Sequence, residues 1–214
     1  RTADKNEYRY LGRALAQRGY AVAVIGYRLC PQVHFPGFVH DVAQACIYLR
    51  ENNARVGWPD LPLFLCGHSA GAHIVSLVGL SPAFCAALEG VMPPVAGVIG
   101  ISGPYSFRPE KDRLLQPVFG PREHAQWHVP MCPIDCVGPD KSPLLLIHGT
   151  QDTLISVNVA QRMRDRAYAA GQTVHFERLE GQGHYQPIFA FHPAVPGHQH
   201  LMQVIDGFCL GRPA

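Results

Sequence analysis

What this sequence has little of narrows its function before any motif is considered. It has almost no excess charge: 18 basic side chains stand against 16 acidic ones, a formal net charge of +2. That balance gives no electrostatic basis for a nucleic-acid partner or an acidic membrane surface, and neither is expected. It has no apolar run of the roughly 18–20 residues that a membrane span requires. Its start, Arg1-Thr2-Ala3-Asp4-Lys5, lacks the apolar stretch of a signal peptide. Charged residues are also few, 16% of the 214, whereas 47% are apolar. That composition predicts a folded, well-buried protein, and the length suits one globular domain.

Disulfide and metal signatures are equally thin. The seven cysteines, at 30, 46, 66, 85, 132, 136 and 209, cannot all pair within one chain. Cys46, Cys66 and Cys209 sit inside apolar helix or strand patterns and are expected to be buried free thiols acting as small hydrophobes. Cys132 and Cys136 have no second pair after them, so no zinc site is expected. The cysteine usage favours a reducing compartment, hence a cytoplasmic location.

What is present is a regular alternation of strand and helix patterns. Residues 6–18 repeat Tyr10, Leu11, Ala14 and Leu15 at helical spacing. A short apolar run, 20–25, predicts a strand buried on both faces. Residues 37–51 return to helix, with Phe38, Val42, Cys46 and Leu49 on one side. Residues 62–66 form the next strand, followed by a helix over 72–78. Strands are predicted at 95–101, 144–148 and 173–179, and helices at 156–170 and near 198–209. Such alternation implies a mostly parallel sheet with helices on both faces. The Pro-rich stretch at about 104–143 breaks the pattern and is expected to be a lid or substrate wall on the carboxyl side of the sheet. Within it, Phe107 and Trp127 would line the acyl or alcohol side of a site, with plain packing as the competing role.

Gly67-His68-Ser69-Ala70-Gly71 lies between the apolar strand at 62–66 and the helix at 72–78. Glycines at both ends permit a sharp strand-to-helix turn that pushes the serine oxygen out of the sheet. Ser69 is therefore the candidate nucleophile, and the Ala70 N–H, at the helix start, is placed to donate to a developing oxyanion. A serine hydroxyl needs a base, and the base needs an acid. Asp152 follows the strand at 144–148 through a short loop and is the candidate acid; its competing role is a helix cap. His184, between Gly183 and Tyr185 after the strand at 173–179, is the candidate base. Among twelve histidines it is selected by order, Ser then Asp then His, each after its own strand. His68 and His73 are expected to point into turn or helix packing, and His148 to be a hydrogen-bonded structural histidine. His192, His198 and His200 are expected to face solvent in a late loop, not to bind a metal.

With these motifs in place the sequence resembles the α/β-hydrolase superfamily, in particular its carboxylesterase branch of hormone-sensitive-lipase-like and feruloyl-esterase-like enzymes. The matching stretches are Tyr27-Arg28-Leu29-Cys30-Pro31 with Phe35-Pro36 and Asp41; Gly67–Gly71 with Ala72-His73; Ser102-Gly103-Pro104-Tyr105; His148-Gly149-Thr150-Gln151-Asp152; and Gly183-His184. The resemblance implies a single α/β-hydrolase domain over 1–214 and hydrolysis of small-molecule carboxylic esters by Ser69, Asp152 and His184, without a cofactor or metal. Kynurenine formamidases and prenylcysteine methylesterases are similar at this level, so amide hydrolysis of the arylformamidase type stands as an alternative. A non-catalytic binding protein on the same fold is the second alternative. Members of this branch carry a His-Gly-Gly loop before the first helix, whose amides complete the oxyanion hole; no His-Gly-Gly occurs here. The first strands of the usual eight are expected to be missing with it, the sequence being an N-terminally incomplete fragment.

Overall fold

A computed structural model describes residues 5–55, 57, 61–86, 88–111, 113, 115–120 and 129–211. Among the described residues four strands, β1 (Leu63–His68), β2 (Val95–Ile101), β3 (Leu144–Gly149) and β4 (Val174–Leu179), form a sheet in the order β1-β2-β3-β4, every pair parallel. The alternation predicted from sequence is observed from residue 63 onward, and the sheet is short against the eight strands of the family it resembles. The helices are α1 (Arg9–Ala16), α2 (Gly37–Glu51), α3 (Ala70–Leu80), α4 (Gln116–Phe119), α5 (Val157–Ala169), α6 (Gln186–Phe189) and α7 (His198–Cys209).

The apolar runs of β2 and β3 divide between two cores because successive side chains of a strand point to opposite faces. Val98, Leu144 and Leu146 pack with α2, α3 and α5 on one face. Ile99, Ile101, Leu145 and Ile147 pack with α1, α6 and α7 on the other. Buried on both faces, these strands carry no polar alternation. Helix α3 is buried at almost every position from Ala72 to Leu80, which is why its sequence is apolar all round.

The strand expected over residues 20–25 is not one. This segment carries no ladder pairing. Its residues face a cleft of about 1580 Å³ that separates them from β1. Strand structure needs a neighbouring backbone at hydrogen-bonding distance, and across the cleft β1 lies too far away to supply it. The pleat still leaves a trace: Tyr20, Val22 and Val24 are half-buried while Ala21 and Ala23 are exposed, and Val22 and Val24 lie against Gly12 of α1.

The segment at 104–143 does leave the alternation. Its described parts hold helix α4 and short turns at Pro109–Lys111 and Pro133–Cys136. Tyr105, Phe119 and Cys136 are buried in the core beside α2 and α3. Trp127 and the Arg1–Asp4 start lie outside the described residues.

Candidate active site

Parallel pairing brings all four strand ends to one edge: His68 registers with Ile101, Ile101 with Ile147, and Gly149 with Leu179. The loops leaving β1, β3 and β4 carry Ser69, Asp152 and His184, so three residues up to 115 apart in sequence share that edge.

The turn after β1 sets the first of them. Ser69 adopts φ 54° and ψ −118°, a region that costs a residue with a side chain on the order of 1–3 kcal/mol. It is held there by its N–H, which donates to Ile101 O at 2.8 Å, and by its carbonyl, which accepts from His73 N–H at 3.2 Å. Glycine at 67 is required by close approach: a Cβ there would collide with the Gly71 backbone and come within 2.7 Å of Ala72 N. Ala70 opens α3, so its N–H belongs to the first-turn amides that have no intrahelical acceptor.

Asp152 is buried, its side chain fully so. Oδ1 accepts from the N–H groups of Leu154 at 2.9 Å and Ile155 at 2.8 Å. Oδ2 accepts from His184 Nδ1 at 2.7 Å. Burial pushes the carboxyl's pKa up, but the Ile155 amide, His184 and the Leu154 amide together hold it below the ordinary carboxylate value. The helix-cap role belongs to a different residue: Ser156 accepts from Asn158 N–H at the start of α5.

His184 completes the set. Its Nδ1 faces a carboxylate, so Nδ1 carries the proton and Nε2 is left as an acceptor; Ser69 Oγ lies 2.9 Å from that Nε2. The loop carrying it is pinned to the Asp152 loop, with Gln151 N–H donating to Gln182 O at 2.8 Å. Gly149 makes this contact possible, because a Cβ there would run into the Gln182 and Gly183 backbone.

Two further histidines touch this group. His148, fully buried within β3, has its Nε2 2.9 Å from Ile155 O and 3.1 Å from Asp152 Oδ2. It is the structural histidine expected from sequence, but its contact with Asp152, the candidate acid, was not. His68 sends Nε2 to the backbone carbonyl of His184 at 2.9 Å, and its ring centroid lies 4.9 Å from that of His184. Turn or helix packing was expected of it; a bond to the main chain of His184, the candidate base, has no local sequence signal. Burial, foremost, lowers the pKa of both rings.

The other histidines weighed in the sequence lie elsewhere. His73 is buried on α3 against the 104–143 segment, with Nε2 2.7 Å from Met131 O, and burial takes its pKa down to about 4. His198 bonds Ala190 O, and His200 pairs with Glu177 at 2.7 Å. These two open α7, the helix expected near 198–209, and not a loop; His200 is exposed as expected and His198 half-buried, while His192 lies exposed in the loop before the helix. Phe107 is half-buried, 5.3 Å from the His73 ring and 5.0 Å from that of Phe119. All seven cysteines are free. Cys46 is buried as expected, whereas Cys66 and Cys209 are half-buried. Burial raises their thiols to about 11, 12 and 11, so each is protonated at neutral pH.

Comparison with known proteins agrees with this architecture. Esterase LipC of Mycobacterium tuberculosis is 32% identical over 192 residues, covering 83% of this chain and 47% of its own length. Kynurenine formamidase of Danio rerio is 30% identical over 106 residues, 50% of this chain and 34% of its own. The chain spans about half the length of the curated relatives it matches, or less. The propionate-bound Est2 esterase of Thermogutta terrifontis superposes with a TM-score of 0.82 at 19% identity, covering 99% of this chain and 79% of that one, which shows the same fold. The BD-FAE family model matches residues 1–166. That match spans more than half of the chain, and the chain belongs to the BD-FAE family, whose relatives here are α/β-hydrolases of carboxylesterase type.

Proposed function

We propose that this protein is a serine hydrolase that cleaves small-molecule carboxylic esters through an acyl-enzyme on Ser69. The observation that carries the reading is the continuous line from Asp152 Oδ2 to His184 Nδ1, 2.7 Å, and from His184 Nε2 to Ser69 Oγ, 2.9 Å. His184 takes the Ser69 proton as Oγ attacks the ester carbonyl, and the Ala70 N–H donates to the oxyanion. The tetrahedral intermediate collapses, and His184 protonates the leaving alcohol. Water then attacks the acyl-enzyme, giving its proton to His184, which returns it to Ser69 as the acid leaves. Asp152 holds the ring in the required tautomer and stabilises the imidazolium.

The name of the LipC relative supports an ester substrate, and the partial match to a formamidase supports hydrolysis of an N-formyl amide as the second reading. The chemistry on Ser69 is the same for both, so substrate comparison separates them. We expect p-nitrophenyl acetate to be hydrolysed with the higher kcat/KM; a preference for N-formylkynurenine would reassign the protein. A binding protein without turnover has no physical need for all three side chains in this alignment.

The other elements of the proposal have indirect support. One domain over 1–214, with the segment at about 104–143 as its substrate wall, fits the packing of Phe107 and Phe119 over α3. Seven free cysteines support a cytoplasmic setting. No helix among the described residues is long and apolar enough to cross a membrane. The near-balanced charge supports a small ester, not a nucleic acid, as partner.

A further inference from the structure

Two consecutive residues of the nucleophile turn hold His184 at two points, the ring and the main chain. Ser69 Oγ meets the ring at Nε2, 2.9 Å away, and His68 Nε2 meets the main-chain carbonyl at 2.9 Å. A carbonyl can only accept, so Nε2 of His68 carries its proton and donates. Burial favours the neutral imidazole needed for this tautomer, and the nearby His184 would further disfavour a charge on it. The His68 ring also packs at 4.9 Å on the His184 ring and at 5.9 Å on that of Tyr185.

We infer that His68 is a positioning residue for the proposed reaction: its Nε2–H bond to the His184 carbonyl fixes the base loop directly to the strand that carries the nucleophile. The inference rests on the Ser69 reading above. Its physical sense lies in how the base is otherwise attached. Asp152 bonds the ring at Nδ1, and the Gln151–Gln182 bond anchors the loop to the Asp152 loop after β3, not to β1. Among the described bonds, the His68 one alone ties the main chain of the base to the nucleophile's own strand. With it, the Oγ–Nε2 distance is set within one rigid turn. Without it, the base follows its own loop, and a displacement of about 1 Å at a reacting pair can cost on the order of 10²-fold in rate. His68 touches no reacting atom, so its effect falls on kcat.

The test compares His68→Gln with His68→Asn. The Gln amide can place an N–H near the position of Nε2, whereas the Asn amide is too short to reach the carbonyl; the two are otherwise matched in polarity. With p-nitrophenyl acetate, His68→Asn is expected to lower kcat by about 10- to 100-fold with KM within about twofold, and His68→Gln to recover most of the loss. The rate of fluorophosphonate labelling at Ser69 should follow kcat. Equal activity of His68→Asn and wild type, equal losses in both variants, or a change confined to KM would each overturn the positioning role while leaving the Ser69 reading intact. A wild-type protein that is not labelled at all would overturn both. Thermal melts accompany each variant, and a loss of kcat that disappears once rates are normalised to the folded fraction counts against the proposal.

Discussion

Replacing Asp152 with Asn changes one atom and should disable the base while sparing the loop. Oδ1 accepts from two N–H groups, Leu154 and Ile155. An NH2 group cannot take that position, so the Asn oxygen must stay there and the new amide nitrogen must occupy the place of Oδ2. It then donates toward His184 Nδ1, 2.7 Å away in the wild type. The imidazole answers by moving its proton to Nε2, which now presents N–H to Ser69 Oγ and can no longer accept the serine proton. The imidazolium formed in the reaction also loses an adjacent carboxylate. The same exchange in a serine protease triad costs about 10⁴ in kcat, or about 5 kcal/mol in the transition state. The two retained amide bonds predict that the melting temperature changes little, apart from the lost contact of His148 Nε2 with the carboxylate at 3.1 Å. The assay is kcat on p-nitrophenyl acetate beside a thermal melt. A variant within about tenfold of wild type, far short of the loss a tautomer switch imposes, would show that Asp152 is not the acid.

Other outcomes follow from the same geometry. Ser69→Gly removes the side chain from a strained backbone, so turnover should vanish while stability rises by about 1 kcal/mol, a few degrees in Tm for a chain this size; a lower Tm would contradict the strain. Gly67→Ala drives a Cβ into the Gly71 backbone and should cost about 1–3 kcal/mol or more, seen as a lower urea midpoint. His73 stays neutral in the folded protein down to about pH 4, whereas in the unfolded chain it protonates near 6.5. The unfolded state therefore binds the extra proton between those values, and stability should fall by up to about 3 kcal/mol as pH drops from 6.5 to 4. In His73→Phe that part of the slope should disappear from denaturant titrations, although the bond to Met131 O is lost as well.

Much of the site was legible because its signals are local. The glycine spacing around Ser69 specifies a turn whatever else the chain does, and the apolar run at 144–148 places Asp152 just beyond a strand end. The order of the three residues then selects His184 from twelve histidines. Residues 20–25 show where that logic stops. Their apolar run is compatible with a strand, but a strand is a relation between two backbones, and here the neighbouring position is a cleft. His68 and His148 were hidden for a related reason. His68 acts on a carbonyl 116 residues away, and no spacing rule reaches that far. The role of His148 depends on which strand face it occupies and on how the loop at 150–155 folds back over it. The segment at 104–143, without periodicity, gave its exit from the sheet and an expected wall near Phe107; that Phe107 and Phe119 close over His73 is a tertiary fact.

The central claim is that His184, held by Asp152, activates Ser69. Its most direct test is reaction with a fluorophosphonate followed by peptide mapping, since this reagent phosphonylates an activated serine with release of fluoride and ignores an ordinary hydroxyl. One adduct is expected, on the Oγ of Ser69, lost in Ser69→Ala and formed far more slowly in Asp152→Asn. An unlabelled wild-type protein, or an adduct on another residue, would contradict it.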